Sequence, residues 1–161
     1  MIIERAQIKD MEGINKLLKQ VLMVHHNGRP DLFKADVKKY TDEELAAIIQ
    51  DDSRPIFVAR DELGVVMGYA FCVYQQYVNN NILTDVKTLY IDDLCVDETL
   101  RGQHVGKQLY DYVLAFAKEN GFTTLEMTRA GKHMDKRIRV SSMKKARENG
   151  FSWLEIHTAK Q

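Results

Sequence analysis

The stretch Leu89-Tyr90-Ile91-Asp92-Asp93-Leu94-Cys95-Val96 decides how this chain is read. Its composition is that of a strand, with apolar residues alternating at 89 and 91 and again at 94 and 96, but the two sets are out of phase. Successive side chains of a strand point to opposite faces, so a slip of one residue turns the buried set outward. One extra residue at Asp92-Asp93, a β-bulge, repairs the phase and splays the strand from its neighbour. The unpaired amides and carbonyls of such a splay can hold an extended ligand that itself contains amides.

Working outward, the chain continues through Asp97-Glu98-Thr99-Leu100 into Arg101-Gly102-Gln103-His104-Val105-Gly106-Lys107. The glycines permit tight backbone turning. Beyond them Leu109, Tyr112, Val113 and Phe116 recur at helical spacing up to the stop signal Asn120-Gly121. The first amides of that helix lack intrahelical partners and carry its partial positive charge. With Arg101 and Lys107 beside them they form a ready site for phosphate oxygens, and a pyrophosphate is the natural guest.

Upstream, Ile14, Leu17, Leu18, Val21 and Leu22 mark an amphipathic helix with Asp10 placed to cap it. Thr41-Asp42-Glu43-Glu44 fits a capping box before Leu45, Ile48 and Ile49. Ile56 to Ala59, a turn at Asp61 to Gly64, and Val65 to Tyr77 predict a long-armed antiparallel hairpin, with Asn79-Asn80-Asn81 at the next tip and Thr88 to Val96 returning. After Gly121 the pattern predicts a strand over Thr123 to Thr128, a helix over Ile138 to Asn149 and a strand over Trp153 to Ile156. This order implies an α/β (α+β) fold, with a central mixed, mostly antiparallel sheet and helices on both faces.

A chain of 161 residues, 45% hydrophobic and 29% charged, suits one domain spanning 1–161 with a single core. Twenty-three basic residues balance 23 acidic ones, so no net field favours nucleic acid or an anionic membrane. The basic run at Lys136, Arg137, Arg139, Lys144, Lys145 and Arg147 has no interleaved aromatic residues and reads as a solvated face. Cys72 and Cys95 lack metal-ligand spacing and read as buried thiols, so no metal is expected. The amino terminus lacks the pattern of a leader, and no apolar run has the length of a membrane span, so a soluble cytoplasmic protein is expected.

The segment from Asp92 to Lys107 resembles the GCN5-related N-acetyltransferase (GNAT) family. The family signature is Arg or Gln, two residues, Gly, one residue, then Gly or Ala, after a bulged strand. Arg101 and Gly106 match its ends, while His104 stands at the middle glycine, which requires an ordinary backbone conformation there. The resemblance implies the acyl-CoA N-acyltransferase fold and acetyl-coenzyme A as donor. Pantetheine would run along Leu94, Cys95 and Val96, and the pyrophosphate would sit on Gln103, His104, Val105, Gly106 and Lys107, with Arg101 and Gly102 in the same cofactor site. It implies direct transfer to a primary amine, carried by a small molecule, a peptide or a protein, with a homodimer as an allowed assembly. Asp92 and Asp93 are the candidate bases, only one of which can face the acceptor. They can equally serve as ligands of nearby amides or of a lysine.

The family's usual asparagine and its tyrosine acid fall here at about Gly131 and at Ala146, so both are missing. That leaves a coenzyme A-binding module with weak or lost catalysis as the alternative function. Ser142-Met143-Lys144-Lys145 can also arise from codons for the family's Phe-Tyr-Glu-Lys segment read out of register. His25 and His26, followed by Asn27 to Phe33, fall where the family builds the acceptor wall, although a solvated helix end explains them as well. Tyr74, Tyr77 and Tyr90 read as strand packing.

Overall fold

A computed structural model describes residues 1–100, 102–128 and 135–139. Six strands occur in it: β1 (Ile2–Arg5), β2 (Ile56–Arg60), β3 (Val66–Gln76), β4 (Lys87–Val96), β5 (Thr124–Thr128) and β6 (Asp135–Arg139). The helices are α1 (Met11–Gly28), α2 (Asp42–Gln50) and α3 (Val105–Glu119), with short 3₁₀ turns at Ile8–Asp10 and Glu98–Leu100. The strands form one mixed sheet in chain order, antiparallel for β1 with β2, β2 with β3 and β5 with β6, and parallel for β4 with β5.

The chain divides into two compact units, the first comprising Met1–Phe71 and Asp93–Asp111, the second Cys72–Asp92 and the chain from Tyr112. In the first, α1 and α2 bury Ile14, Leu17, Leu18, Leu45, Ile48 and Ile49 against Ile56, Val58, Val66, Tyr69 and Phe71 of the sheet. The start of α3 packs Val105 and Leu109 on the other face, against Ala59, Met67, Leu94 and Val96. The period-two alternation of β2 explains the split, since Val58 joins the first cluster and Ala59 the second. In β3 the alternation slips, because Arg60 pairs with Val66 but Ala59 pairs with Gly68, which makes Met67 an extra residue. That bulge lets Val66 and Tyr69 face α1 and α2 together.

Local chemistry sets the element ends. Thr41 accepts from the Glu44 amide at 3.1 Å while Glu44 accepts from the Thr41 amide at 2.8 Å, the capping box its sequence predicts. The β2–β3 turn is held by Asp61, whose carboxylate accepts from the Leu63 and Val65 amides at 2.8 and 2.9 Å. Gly64 there has a φ of 82°, open to glycine at little cost.

In the second unit β4 runs beside β5 in the register Thr88↔Thr124 to Ile91↔Met127. Lys87 closes one end of this pairing. Its Nζ lies 4.8 Å from the centre of the Phe122 ring and donates to the Asn120 carbonyl at 3.0 Å.

Three expectations change. Asp10 makes no cap bond to α1; its carboxylate instead accepts from the Gln7 amide at 2.7 Å and pairs with the guanidinium of buried Arg60 at 2.5 and 2.7 Å. Arg60, which also bonds Glu4, is a buried cation, and the buried carboxylate of Asp10 balances its charge where water cannot. Ile2–Arg5, assigned no structure from its sequence, is the edge strand β1, specified by its pairing with β2. Ile138 and Arg139, predicted to begin a helix, end β6 instead, with Leu125 opposite Ile138. One apolar residue in five sets no period, so pairing with β5 decides the conformation. The remainder of that predicted helix, the strand at Trp153 to Ile156, and the positions of Gly131, Ser142 to Lys145 and Ala146 lie outside the described residues.

Candidate functional site

The last four residues of β4 divide between two faces. Leu94 and Val96 pack toward Val105 and Leu109 of α3, whereas Cys95 packs against the α1 and α2 cluster and Asp93 reaches Tyr69 within it. The strand is continuous from Lys87 to Val96, and its pairing with β5 ends at Ile91↔Met127, one residue before Asp92.

Asp93 is half-buried and held from two sides. The Tyr69 hydroxyl donates to its Oδ2 at 3.0 Å, and Lys39 Nζ lies 3.5 Å from the same oxygen. Tyr69 is fully buried, its ring edge-on to Phe71 with centroids 5.0 Å apart. Burial above all, then the charge of Asp93 and the neighbouring Cys95, drive the phenol's pKa far upward, so Tyr69 stays protonated and can donate to Asp93. Asp92 is exposed. Of the two candidate bases, Asp93 is thus the one that the fold fixes in place.

Asp97 anchors the turn that follows. Its Oδ1 accepts from the Thr99 amide at 3.0 Å and from the Thr99 hydroxyl at 2.7 Å, and Oδ2 meets Gln20 at 3.4 Å and Lys16 at 3.6 Å, both on α1. Those Thr99 bonds, amide first, with Gln20 and Lys16 adding to them, hold its carboxyl below the usual carboxylate range. The Asp97 amide donates to the Met67 carbonyl at 2.9 Å, locking the end of β4 to β3.

Gly102, Gln103 and His104 are exposed, and His104 makes the first α3 bond by accepting from the Gln108 amide at 3.0 Å. Gly102 and His104 both have left-handed backbone, with φ of 85° and 60°. The ordinary conformation expected of His104 is therefore corrected. The turn into α3 needs a left-handed residue at this position, which histidine tolerates at roughly 1–2 kcal/mol. The Val105 side chain is buried core, leaving only its amide to face a ligand. A Cβ on Gly106 would lie 3.3 Å from Val96 Cγ2 and 3.7 Å from Leu94 Cδ2, so glycine keeps the helix start close to β4. Lys107 pairs with Asp111 at 2.5 Å along the helix, which offsets the charge expected of it. Arg101 lies outside the described residues.

Sequence reasoning missed Lys39, Tyr69 and Gly68. A Cβ on Gly68 would meet the Cys95 carbonyl and Leu109 Cδ1, both at 2.9 Å, so β4 and α3 depend on its absence. The available signal was a lone glycine inside a strand, a mark of close backbone approach. Cys72 is buried and Cys95 half-buried, and no disulfide joins them. His25 stacks on Phe33 with centroids 5.0 Å apart, and His26 Nδ1 lies 2.7 Å from the Phe33 carbonyl, so both order the chain after α1.

Comparison with known proteins adds to this geometry. A family model described as the Acetyltransferase (GNAT) family matches residues 23–139. No curated protein sequence matches the chain. Among solved structures, a mutant form of the BH1408 protein of Bacillus halodurans is similar over 100% of this chain and 96% of its own, at 25% identity and a TM-score of 0.78. Glucosamine-6-phosphate N-acetyltransferase of Arabidopsis thaliana aligns at 19% identity over 99% and 97% of the two chains, with a TM-score of 0.61. Ribosomal-protein-alanine N-acetyltransferase of Brucella melitensis gives 17% identity, 78% of each chain and a TM-score of 0.60. The last two likenesses concern the fold alone.

Proposed function

The chain belongs to the Acetyltransferase (GNAT) family, and from that premise we propose that it transfers the acetyl group of acetyl-coenzyme A directly to a primary amine. The observation that carries this reading is the end of β4, from which one face leads to an exposed left-handed turn and the open amides of α3 while the other presents Asp93. In this reading the backbone of Leu94, Cys95 and Val96 binds the pantetheine amides. The turn from Arg101 to Lys107 receives the pyrophosphate, with the amides of Val105, Gly106 and Lys107 as its donors. The donor supplies an activated thioester; the chain's residues supply position and proton transfer. Asp93 accepts the proton that the amine sheds, directly or through one water, a contribution of roughly 10²–10⁴-fold. Tyr69 is too deeply buried to protonate the leaving thiolate, so that proton comes from solvent.

The test is thiol release from acetyl-coenzyme A with a panel of primary amines, alongside the melting temperature with coenzyme A. Turnover with at least one amine and a rise in melting temperature are expected, since ligand binding to the native state stabilises it. No shift at millimolar coenzyme A would overturn the proposal. A second reading, coenzyme A binding without efficient catalysis, is favoured by the engagement of Asp93 with both Tyr69 and Lys39; a melting shift with no turnover would select it. A cytoplasmic setting belongs to the proposal, and among the described residues no helix is long and apolar enough to cross a membrane.

A further inference from the structure

Resting on the reading of Asp93 as the base of an acetyl transfer, we infer that the acceptor is an amine carrying its own anionic group, a carboxylate or a phosphate, and that Lys39 is the residue that selects it. The argument begins with the charges around the segment that joins α1 to α2. Lys19 pairs with Asp36 at 2.5 Å, Arg29 with Asp31 at 2.7 Å and Lys38 with Asp42 at 2.9 Å, each cation matched to an acid of the same segment or a flanking helix. Lys39 differs, because its carboxylate is Asp93, on β4. The next residue, Tyr40, stacks on Phe71 with centroids 6.0 Å apart and is partly buried against the core of the first unit. That fixes the point from which Lys39 extends, with Nζ 5.3 Å from the Tyr40 ring centre.

An amine arrives protonated at neutral pH and must reach a carboxylate already held by an ammonium group. If it carries no anion, it displaces Lys39 and leaves that charge without a partner. If it carries one, the exchange conserves pairing: the acceptor ammonium takes the place of Lys39 at Asp93, and Lys39 turns to the acceptor's anion. Lys39 is suited to this, since its side chain is 43% exposed and free to swing, whereas that of Asp93 is 20% exposed and bound from beneath by Tyr69. The chemistry that follows is balanced. Asp93 takes one proton from the ammonium, and the freed nitrogen lone pair forms the bond to the thioester carbon. The carbon–sulfur bond breaks with its electron pair on sulfur, and the thiolate takes a proton from solvent as the amide nitrogen returns its surplus proton to solvent.

The experiment compares matched amines in thiol release from acetyl-coenzyme A by the full chain: β-alanine against β-alaninamide, and glucosamine 6-phosphate against glucosamine. The expected result is a preference in kcat/KM for one or both anionic members of about ten- to a hundredfold, the range of a hydrogen bond to a charged group. Lys39→Met should bring that ratio to near one through KM, and Lys39→Arg should restore much of it. A wild-type ratio near one for both pairs, or a ratio that Lys39→Met leaves intact, overturns the inference while leaving acetyl transfer standing. Absence of turnover with every amine counts against the transfer reading instead. Calorimetry of the same amines on the coenzyme A-loaded chain then decides the role of Lys39, and equal affinities for charged and uncharged partners overturn it.

Discussion

The two faces of β4 at its carboxyl end are built by different means. Toward α3 the strand offers Leu94 and Val96 to a helix brought close by Gly106 and Gly68, and the candidate ligand groups there are backbone amides beyond a turn of two left-handed residues. Toward α1 and α2 it offers Asp93, and what surrounds that residue is side-chain charge and a buried hydroxyl. Substitutions on the first face act through backbone shape and approach distance, and those on the second through electrostatics. The division matches the proposed chemistry, because a donor common to a family can be read by backbone, whereas an acceptor peculiar to one protein must be read by side chains.

The largest expected effect lies on the charged face. Asp93→Ala should lower kcat by about 10²–10⁴-fold with little change in the KM for acetyl-coenzyme A, since it removes the proposed proton acceptor and leaves the backbone of Leu94 to Val96 in place. Steady-state kinetics in both substrates check this. A loss confined to the KM of acetyl-coenzyme A would mean that the two faces are not separable. On the other face, Gly106→Val should do the converse. Its Cβ would crowd Val96 Cγ2 at 3.3 Å, and its branches would reach further, pushing the start of α3 from β4. Coenzyme A affinity by calorimetry should fall by about tenfold, roughly 1.4 kcal/mol.

His104→Gly sharpens the comparison by changing backbone shape at the turn. A left-handed residue other than glycine carries a penalty of roughly 1–2 kcal/mol, of which glycine's greater freedom in the unfolded chain returns some. The net gain should be below about 1 kcal/mol, seen as a melting temperature raised by a few degrees, with coenzyme A bound at least as tightly. A drop in stability would show that the His104 side chain makes a contribution larger than its backbone strain.

What could be read from the sequence follows the same division. Features set by a few adjacent residues were legible: the Thr41 capping box, the Asp61 to Gly64 turn, the glycines around α3, and the strand from Thr88 to Val96. Features set by partners distant in sequence were not. Asp10 looks like a cap until Arg60, 50 residues on, is seen to require its carboxylate. Asp93 has no visible companions in its own segment, since Lys39 and Tyr69 are 54 and 24 positions away. Among the described residues β1 and β6 are the two end strands of the sheet, short strands whose conformation comes from their pairing, and neither has a period of its own. His104 was legible as a departure from the family pattern, but the hand of its backbone was not, because residue type alone leaves φ open.

The smallest effect concerns the join between the faces. Asp97 ties the end of β4 to α1, and its carboxyl is held below the ordinary value by the Thr99 bonds, with Gln20 and Lys16 adding to them. A carboxyl whose folded pKa is depressed contributes stability that is fully present above its unfolded pKa, about 3.9, and is lost as pH falls through the lower folded value. Asp10, likewise lowered, follows the same sign: burial opposes the shift and the Arg60 and Gln7 bonds outweigh it. Melting temperatures of the wild type and of Asp97→Asn should therefore differ by a constant amount at neutral pH and converge below about pH 4. Asparagine keeps one acceptor oxygen for Thr99 and does not titrate, so the converging part isolates the charge of Asp97 from that of Asp10. A gap that persists undiminished into acid would assign the role of Asp97 to hydrogen-bond geometry alone, and the turn would then be held as the rest of the α3 face is, by shape.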